Sequence, residues 1–293
     1  MSSPPAAVHV DLDGASDIFR AHGWPYSAPD DPLFDSGLRG FLDLFAEANV
    51  KATLFVVAQD VRDPAKRALL DSAARGGHEI ASHSLTHRHL PTLSSRDKRA
   101  EIFESKALLE DAFGIRVHGF RAPGYQLDRE CLELLAAAGY RYDSSAFATT
   151  AHAARLQLPI ESLTAPGRPL PGSDLIEWPM PDHRPSPVPF NPSYALILGD
   201  WYFRWGLRRY RSRRTPLALL FHLVDVAAPL PRERLTFLMS RFWTLSTTSA
   251  ANKRRRVGDM LDLVLSQYRL TTTLELVDEW SHEAANASAV SGA

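Results

Sequence analysis

Apolar positions along the chain alternate between two periods. Short runs rich in β-branched and aromatic residues read as strands: "AVHVDL" at 7–12, "KATLFVVA" at 51–58, "HEIAS" at 78–82, "VHGFRAP" at 117–123 and "YRYDSSA" at 140–146. Between them lie stretches of helical period. "SGLRGFLDLFAEAN" (36–49) carries Leu38, Phe41, Leu42 and Phe45 on one face, with Asn49 as a stop. "DPAKRALLDSAARGG" (63–77) has proline near its start and glycines at its end, and "SSRDKRAEIFESKALLEDAFG" (94–114) opens on a serine cap. "DRECLELLAAAG" (128–139) supplies a fourth helix.

Successive βα units without hairpin turns predict a parallel sheet with crossover helices. Further strands are expected at 174–180, 216–223 and 268–273. The fold class is thus α/β, a single barrel-like domain over 7–282 with a long loop and helix insert at about 150–215. Proline-rich stretches at 150–172 and 181–193 read as long loops at the site. The small, polar ends at 1–6 and 283–293 read as disordered tails.

Composition adds exclusions more than direction. The net charge of -1 over 293 residues gives no overall attraction to nucleic acid, and Cys131, the one cysteine, excludes an internal disulfide and a cysteine-rich zinc module. No apolar run approaches membrane-spanning length, and the start of the chain lacks a signal-peptide pattern, so a cytoplasmic protein is the expectation.

The chemistry-bearing residues fall at the carboxyl ends of the predicted strands, where barrels of this class hold their sites. "GGHEIASHSLTHRHL" (76–90) holds four of the eleven histidines, with His83 and His87 four apart. Imidazoles at that spacing can share a metal, or be solvated rings. "VDLDG" puts Asp11 and Asp13 two apart on a strand end, where a cation or an arginine would relieve their repulsion; a surface turn is the plain alternative. Arg121 in "GFRAPGY" offers a permanent charge or an exposed turn residue. His222 in "LALLFHL" suits a site or the core, and Asp143 in "RYDSS" suits a site or a turn.

The order D-x-D-G, H-S-x-T-H, R-A-P-G-Y, Y-D-S-S and L-x-x-H resembles the polysaccharide deacetylase family (NodB homology, carbohydrate esterase 4), over about residues 7–145 and 216–280. The resemblance implies a distorted (β/α) barrel and a metal-dependent hydrolase that removes an acetyl or formyl group from an amino-sugar amide. It implies a divalent metal on Asp13, His83 and His87, zinc first, with cobalt, nickel, iron or manganese as alternatives. Asp11 would be the general base, Arg121 its partner, and His222 the general acid, oriented by Asp143 or Asp225. Tyr125 and Trp178 are expected to meet substrate. The separated aspartates of "VDLDG", in place of the commoner adjacent pair, are similar to a branch that includes allantoinase-like and lipid-sugar deformylase members. An allantoinase-like hydrolase of a small cyclic amide, and an inactive sugar- or lipid-binding module, are therefore the competing readings.

"YALILGDWYFRWGLRRYRSRR" (194–214) stands outside this resemblance and reads as one basic, aromatic helix. Such a helix can lie on an anionic membrane, helped by "NKRRRVGD" (252–259), or can be an outer barrel helix with solvated arginines. The membrane reading carries with it a lipid-linked amino sugar, peripheral contact at the inner face of the membrane, and no nucleic-acid partner.

Overall fold

The computed structural model describes residues 3–21, 23–26, 30–181, 190–213, 216–230 and 248–291. In chain order its elements are β1 (Pro5–Asp11), α1 (Ala15–Ala21), α2 (Pro32–Glu47), β2 (Thr53–Val56), α3 (Pro64–Arg75), β3 (Glu79–Ser82) and α4 (Ser95–Phe113). There follow β4 (Gly119–Phe120), α5 (Arg129–Ala137), β5 (Tyr142–Asp143), α6 (Thr150–Leu156), β6 (Ile176–Glu177), α7 (Pro192–Leu198) and α8 (Asp200–Arg213). The described chain closes with β7 (Leu217–His222), α9 (Ala250–Leu265), β8 (Arg269–Thr271) and α10 (Thr273–Ser291).

The strands form one parallel sheet in the order β6-β5-β4-β3-β2-β1-β7. On one side of β1, β2 pairs with His9–Asp11 while β8 pairs with Pro5–Ala7, so β8 wedges in beneath β2. Among the described residues β6 and β7 do not pair, which leaves a half-barrel open between them. This is the expected parallel α/β architecture.

Alternation along β1 separates two cores. Val8, Val10 and Leu12 pack outward against helices, with Phe34, Phe41 and Phe45 of α2 among their cluster. Ala7 turns inward to a second cluster with Phe55, Ala81, Tyr142, Ile176, Trp178 and the α10 residues Leu276 and Val277. His9 and Asp11 share the parity of Ala7, and both are buried. Trp178 therefore fills the barrel interior, 2% exposed, and does not line a substrate surface as expected from sequence.

Several boundaries differ from the sequence reading for local reasons. Helix α2 starts at Pro32 because the Asp31 side chain caps it, accepting from Phe34 N. The 150–172 stretch contains α6, capped by Thr149; residues 182–189 of the second expected loop lie outside the described residues. The basic aromatic segment is two helices, broken at Gly199, whose φ of 100° only glycine adopts readily. Strand β1 begins at Pro5, inside the expected tail, and α10 runs on to Ser291 through the other.

The second basic run is structural. Lys253 of α9 is 1% exposed and donates to the carbonyls of Val224 (3.0 Å) and Ala227 (3.1 Å). Arg256 donates to the last carbonyls of α7, at Leu196 and Ala195, and pairs with Asp200. Arg254 pairs with Asp43. These three cations are engaged within the fold, and exposed Arg255 donates to Asn252 Oδ1 of the same helix.

Burial lowers the Lys253 pKa to about 8, against the opposing pull of Asp225. Between pH 8 and the ordinary lysine value the unfolded chain holds a proton that the folded one has lost, so stability from this group rises with pH. Thermal unfolding of the wild type and Lys253→Met across that range should show the rise in the wild type alone.

Candidate metal and acid–base site

The site gathers where β1, β3, β4 and β7 end. Asp13 lies just past β1, where its Oδ1 is 3.1 Å from His83 Nε2 and 3.4 Å from His87 Nε2. These three residues each offer a ligand atom, all within 4.8 Å of one another. The chemistry of the set, two imidazoles and a carboxylate, suits zinc and its neighbours among divalent ions.

Two observations test the fit. His83 Nδ1 lies 2.9 Å from the Arg121 carbonyl, which can only accept, so the ring carries its proton on Nδ1 and turns Nε2 toward Asp13. Asp13 Oδ1 and both His87 nitrogens are buried without a hydrogen-bond partner among the described residues. Such groups are costly to leave unmatched, and a shared cation satisfies the atoms that face one another. The residues fit a metal.

Charge in the metal-free protein tells the same story. Burial pushes the Asp13 carboxyl up, but the neighbouring His87 and His83 outweigh it and hold it well below the usual range. Burial opposes the charged form of His87, yet Asp13 raises its pKa to about 9.

The loop that presents the histidines is bent and braced. Ser84 (φ 67°) and His87 (φ 58°) are left-handed without being glycine, a conformation that costs on the order of 1 kcal/mol or more each. Glu101 of α4, fully buried, holds it by accepting from Leu85 N (2.9 Å), Thr86 N (2.8 Å), the Thr86 hydroxyl and Arg88 Nε (2.9 Å). Sequence reasoning missed Glu101. Its signal was an acid on the buried face of α4, beside Ile102 and Ser105.

Asp11 sits at the end of β1 with Oδ1 held 2.7 Å from Arg121 Nη1. Arg121 is fully buried: Nε donates to Ser144 O (2.7 Å), Nη2 to His9 Nδ1 (2.6 Å), and the guanidinium lies 3.9 Å from the Phe55 ring centroid. The other Asp11 oxygen, Oδ2, is 4.0 Å from His83 Nε2 and 3.9 Å from His222 Nε2. His222, at the end of β7, is partly exposed.

Tyr125 stands between these groups, its hydroxyl 3.2 Å from Asp11 Oδ2 and 2.9 Å from His222 Nε2. Burial and then Asp11 push its pKa well above the ordinary tyrosine value, so it remains a neutral donor. Gly124 and Tyr125 both have φ of 59°, and Tyr125 N donates to Ala122 O, so this amide is not free to meet an oxyanion.

One expected role moves. Asp143 does not orient His222 directly: its oxygens accept from Ser145 N and Oγ, and Ser145 in turn accepts from Ala122 N. Burial raises the Asp143 pKa, and burial with Asp143 alongside raises that of Glu177 well above the ordinary value. Asp143 braces the loop after Arg121. Asp225 lies beside His222, accepting from its backbone N–H at 2.9 Å.

Zinc must displace a proton from His87, so its apparent affinity should rise as pH approaches 9, with proton uptake by the calorimetric buffer at neutral pH. Glu101→Gln should weaken zinc binding roughly 10-fold or more without touching a ligand. Calorimetric titration of the two proteins checks both outcomes.

The family model described as Polysaccharide deacetylase matches residues 30–142. His83, His87, Arg121 and Tyr125 lie inside the match; Asp11, Asp13 and His222 lie outside it. The chain is 32% identical over 136 residues to the "Peptidoglycan deacetylase-like protein FGM2" of Gibberella zeae, covering 46% of this chain and 37% of that protein. It is 26% identical over 144 residues to the "Peptidoglycan deacetylase" of Helicobacter pylori, covering 47% of this chain and 48% of that one. The alignments thus span less than half the length of these relatives. In fold it is similar to a crystal structure of a "probable Polysaccharide deacetylase" from Pseudomonas aeruginosa PAO1, with TM-score 0.64, 14% identity, and 95% and 91% of the two chains covered. By a family match over residues 30–142 and by a half-barrel shared along nearly its whole length, the resemblance of this chain to the polysaccharide deacetylase family holds.

Proposed function

We propose that the protein is a metal-dependent deacylase that hydrolyses the N-acetyl or N-formyl amide of an amino sugar. The observation that carries this reading is the meeting of Asp13, His83 and His87 with Asp11 Oδ2, which lies 4.0 Å from His83 Nε2 and 3.9 Å from His222 Nε2.

Asp13, His83 and His87 would hold a divalent ion, zinc by preference, which when bound would supply Lewis acidity and lower the pKa of water. The chain's own residues do the rest. Arg121 engages Asp11 Oδ1 and leaves Oδ2 as the proton acceptor for general-base work. The fixed, buried guanidinium keeps that carboxylate oriented. His222 Nε2, on the far side of Oδ2, delivers a proton to the departing amine, which leaves poorly as an anion. Tyr125, its hydroxyl reaching both Asp11 and His222, gives way to substrate or donates a hydrogen bond to it.

The finer part of the reading is a lipid-linked sugar met at an anionic membrane surface. It rests on α7 and α8, where Tyr194, Ile197, Leu198, Trp201 and Trp205 are exposed, Trp201 to 65%. Trp201, Arg204, Trp205, Arg208 and Arg211 form one outward face of α8, an arrangement suited to headgroups. No helix among the described residues is long and apolar enough to cross a membrane.

Asp11→Asn should retain zinc and lose about 100-fold or more in turnover of an N-acetylated chitooligosaccharide. Wild-type turnover in the variant, or turnover indifferent to a chelator, would overturn the hydrolytic reading. Vesicles containing phosphatidylglycerol should float the wild type but not Trp201→Ala/Arg208→Glu. Equal recovery of the two removes the membrane contact and leaves the deacylase standing.

A further inference from the structure

His222 needs an orienting partner at Nδ1 if Nε2 is to carry the proton that leaves. Among the described hydrogen bonds that partner is Ser193, at the start of α7, whose Oγ lies 3.4 Å from His222 Nδ1. The same hydroxyl donates to Asp225 Oδ2 at 2.6 Å. Its one proton being spent there, Oγ is left to accept from Nδ1–H. Asp225 is fully buried, accepts from His222 N at 2.9 Å, and has an Oδ1 with no partner among the described residues. The turn that carries it is fixed from behind by Lys253, through the Val224 and Ala227 carbonyls on either side.

We propose that Ser193 is a positioning residue for the acid, linking Asp225 to His222 in a carboxylate–hydroxyl–imidazole chain. The proposal rests on the reading of His222 as the general acid. In the protonated ring the directions agree: Nδ1–H to Ser193 Oγ, Ser193 O–H to the Asp225 carboxylate, and Nε2–H to the Tyr125 oxygen, whose own proton goes to Asp11 Oδ2. A proton gained by the ring then resides on Nε2, the atom facing Asp11 and Tyr125. As the amide C–N bond breaks, its electron pair passes to nitrogen, nitrogen takes the Nε2 proton, and the ring returns to its neutral Nδ1–H form. Asp225, through the Ser193 hydroxyl, stabilises the imidazolium. The 3.4 Å contact belongs to the protein without substrate, where such bonds are commonly long.

Ser193 also has a plain structural role near the α7 terminus, where its N–H donates to Asn191 Oδ1. The test must separate the two. In metal-free protein labelled with nitrogen-15 histidine, the neutral His222 ring should be the Nδ1–H tautomer, and Ser193→Ala should shift it toward Nε2–H. With zinc bound, Ser193→Ala should slow hydrolysis of an N-acetylated chitooligosaccharide roughly 10-fold, mainly in kcat. It should leave nitrophenyl acetate hydrolysis unchanged, because that leaving group departs without a proton. Ser193→Thr should restore the amide rate. An Nε2–H tautomer in the wild type, or the same tautomer in wild type and Ser193→Ala, overturns the chain. Equal losses on amide and activated ester also overturn it, since they report only a loosened helix. A wild type inert toward every amide would instead count against the deacylase reading, and the tautomer measurement would still decide the role of Ser193.

Discussion

The buried guanidinium of Arg121 is the interaction on which the arrangement depends. It reaches Asp11 from β1, the Ser144 carbonyl beyond β5, and His9 deeper on β1, while its own carbonyl sets the tautomer of His83. Placing a permanent charge out of water is expensive unless it is paired and fully hydrogen-bonded. Here the carboxylate, a carbonyl, an imidazole nitrogen and the Phe55 ring surround it. The same contacts fix two separate matters: which Asp11 oxygen lies clear of the guanidinium, and which His83 nitrogen faces Asp13.

That charge also organises the barrel interior. Burial and Arg121 keep His9 neutral, so its Nδ1 accepts and its Nε2–H meets Thr273 Oγ at 2.7 Å. Thr273 passes to Thr53 (2.9 Å), and Thr53 donates to Glu79 (2.8 Å), which also accepts from Tyr142 (2.6 Å). Every donor in this chain finds an acceptor, from the guanidinium at one end to a carboxylate at the other. A network so directed ties the first residue of α10 to the floor of the site, and explains how polar side chains occupy a core without loss.

What the sequence made legible was what periodicity and strand ends encode. The parallel half-barrel follows from alternating apolar periods, and Asp13, His83 and His87 meet because each follows a strand in one sheet. Contacts between distant stretches had no local signature. Glu101 looks like any acid in a charged helix, and Ser193 lies in an irregular, proline-rich stretch far from His222 in sequence. Trp178 misled because both faces of this sheet are covered, so an aromatic residue beside a short strand reads equally as site or core. Asp143 misled for a related reason. An aspartate at a strand end suits catalysis, but only the folded chain reveals that both its oxygens are taken up by Ser145.

The half-barrel's gap between β6 and β7 separates the centre's origins along the chain. Asp11, Asp13, His83, His87 and Arg121 come from the ends of β1, β3 and β4, whereas the hydroxyl behind His222 is lent by Ser193, from the stretch between β6 and β7. On the proposed reading, water activation and leaving-group protonation rest on different pieces of the polypeptide. On that reading, a grafted or rebuilt bridging segment alters how readily the amine departs and leaves the opposite half of the reaction its equipment.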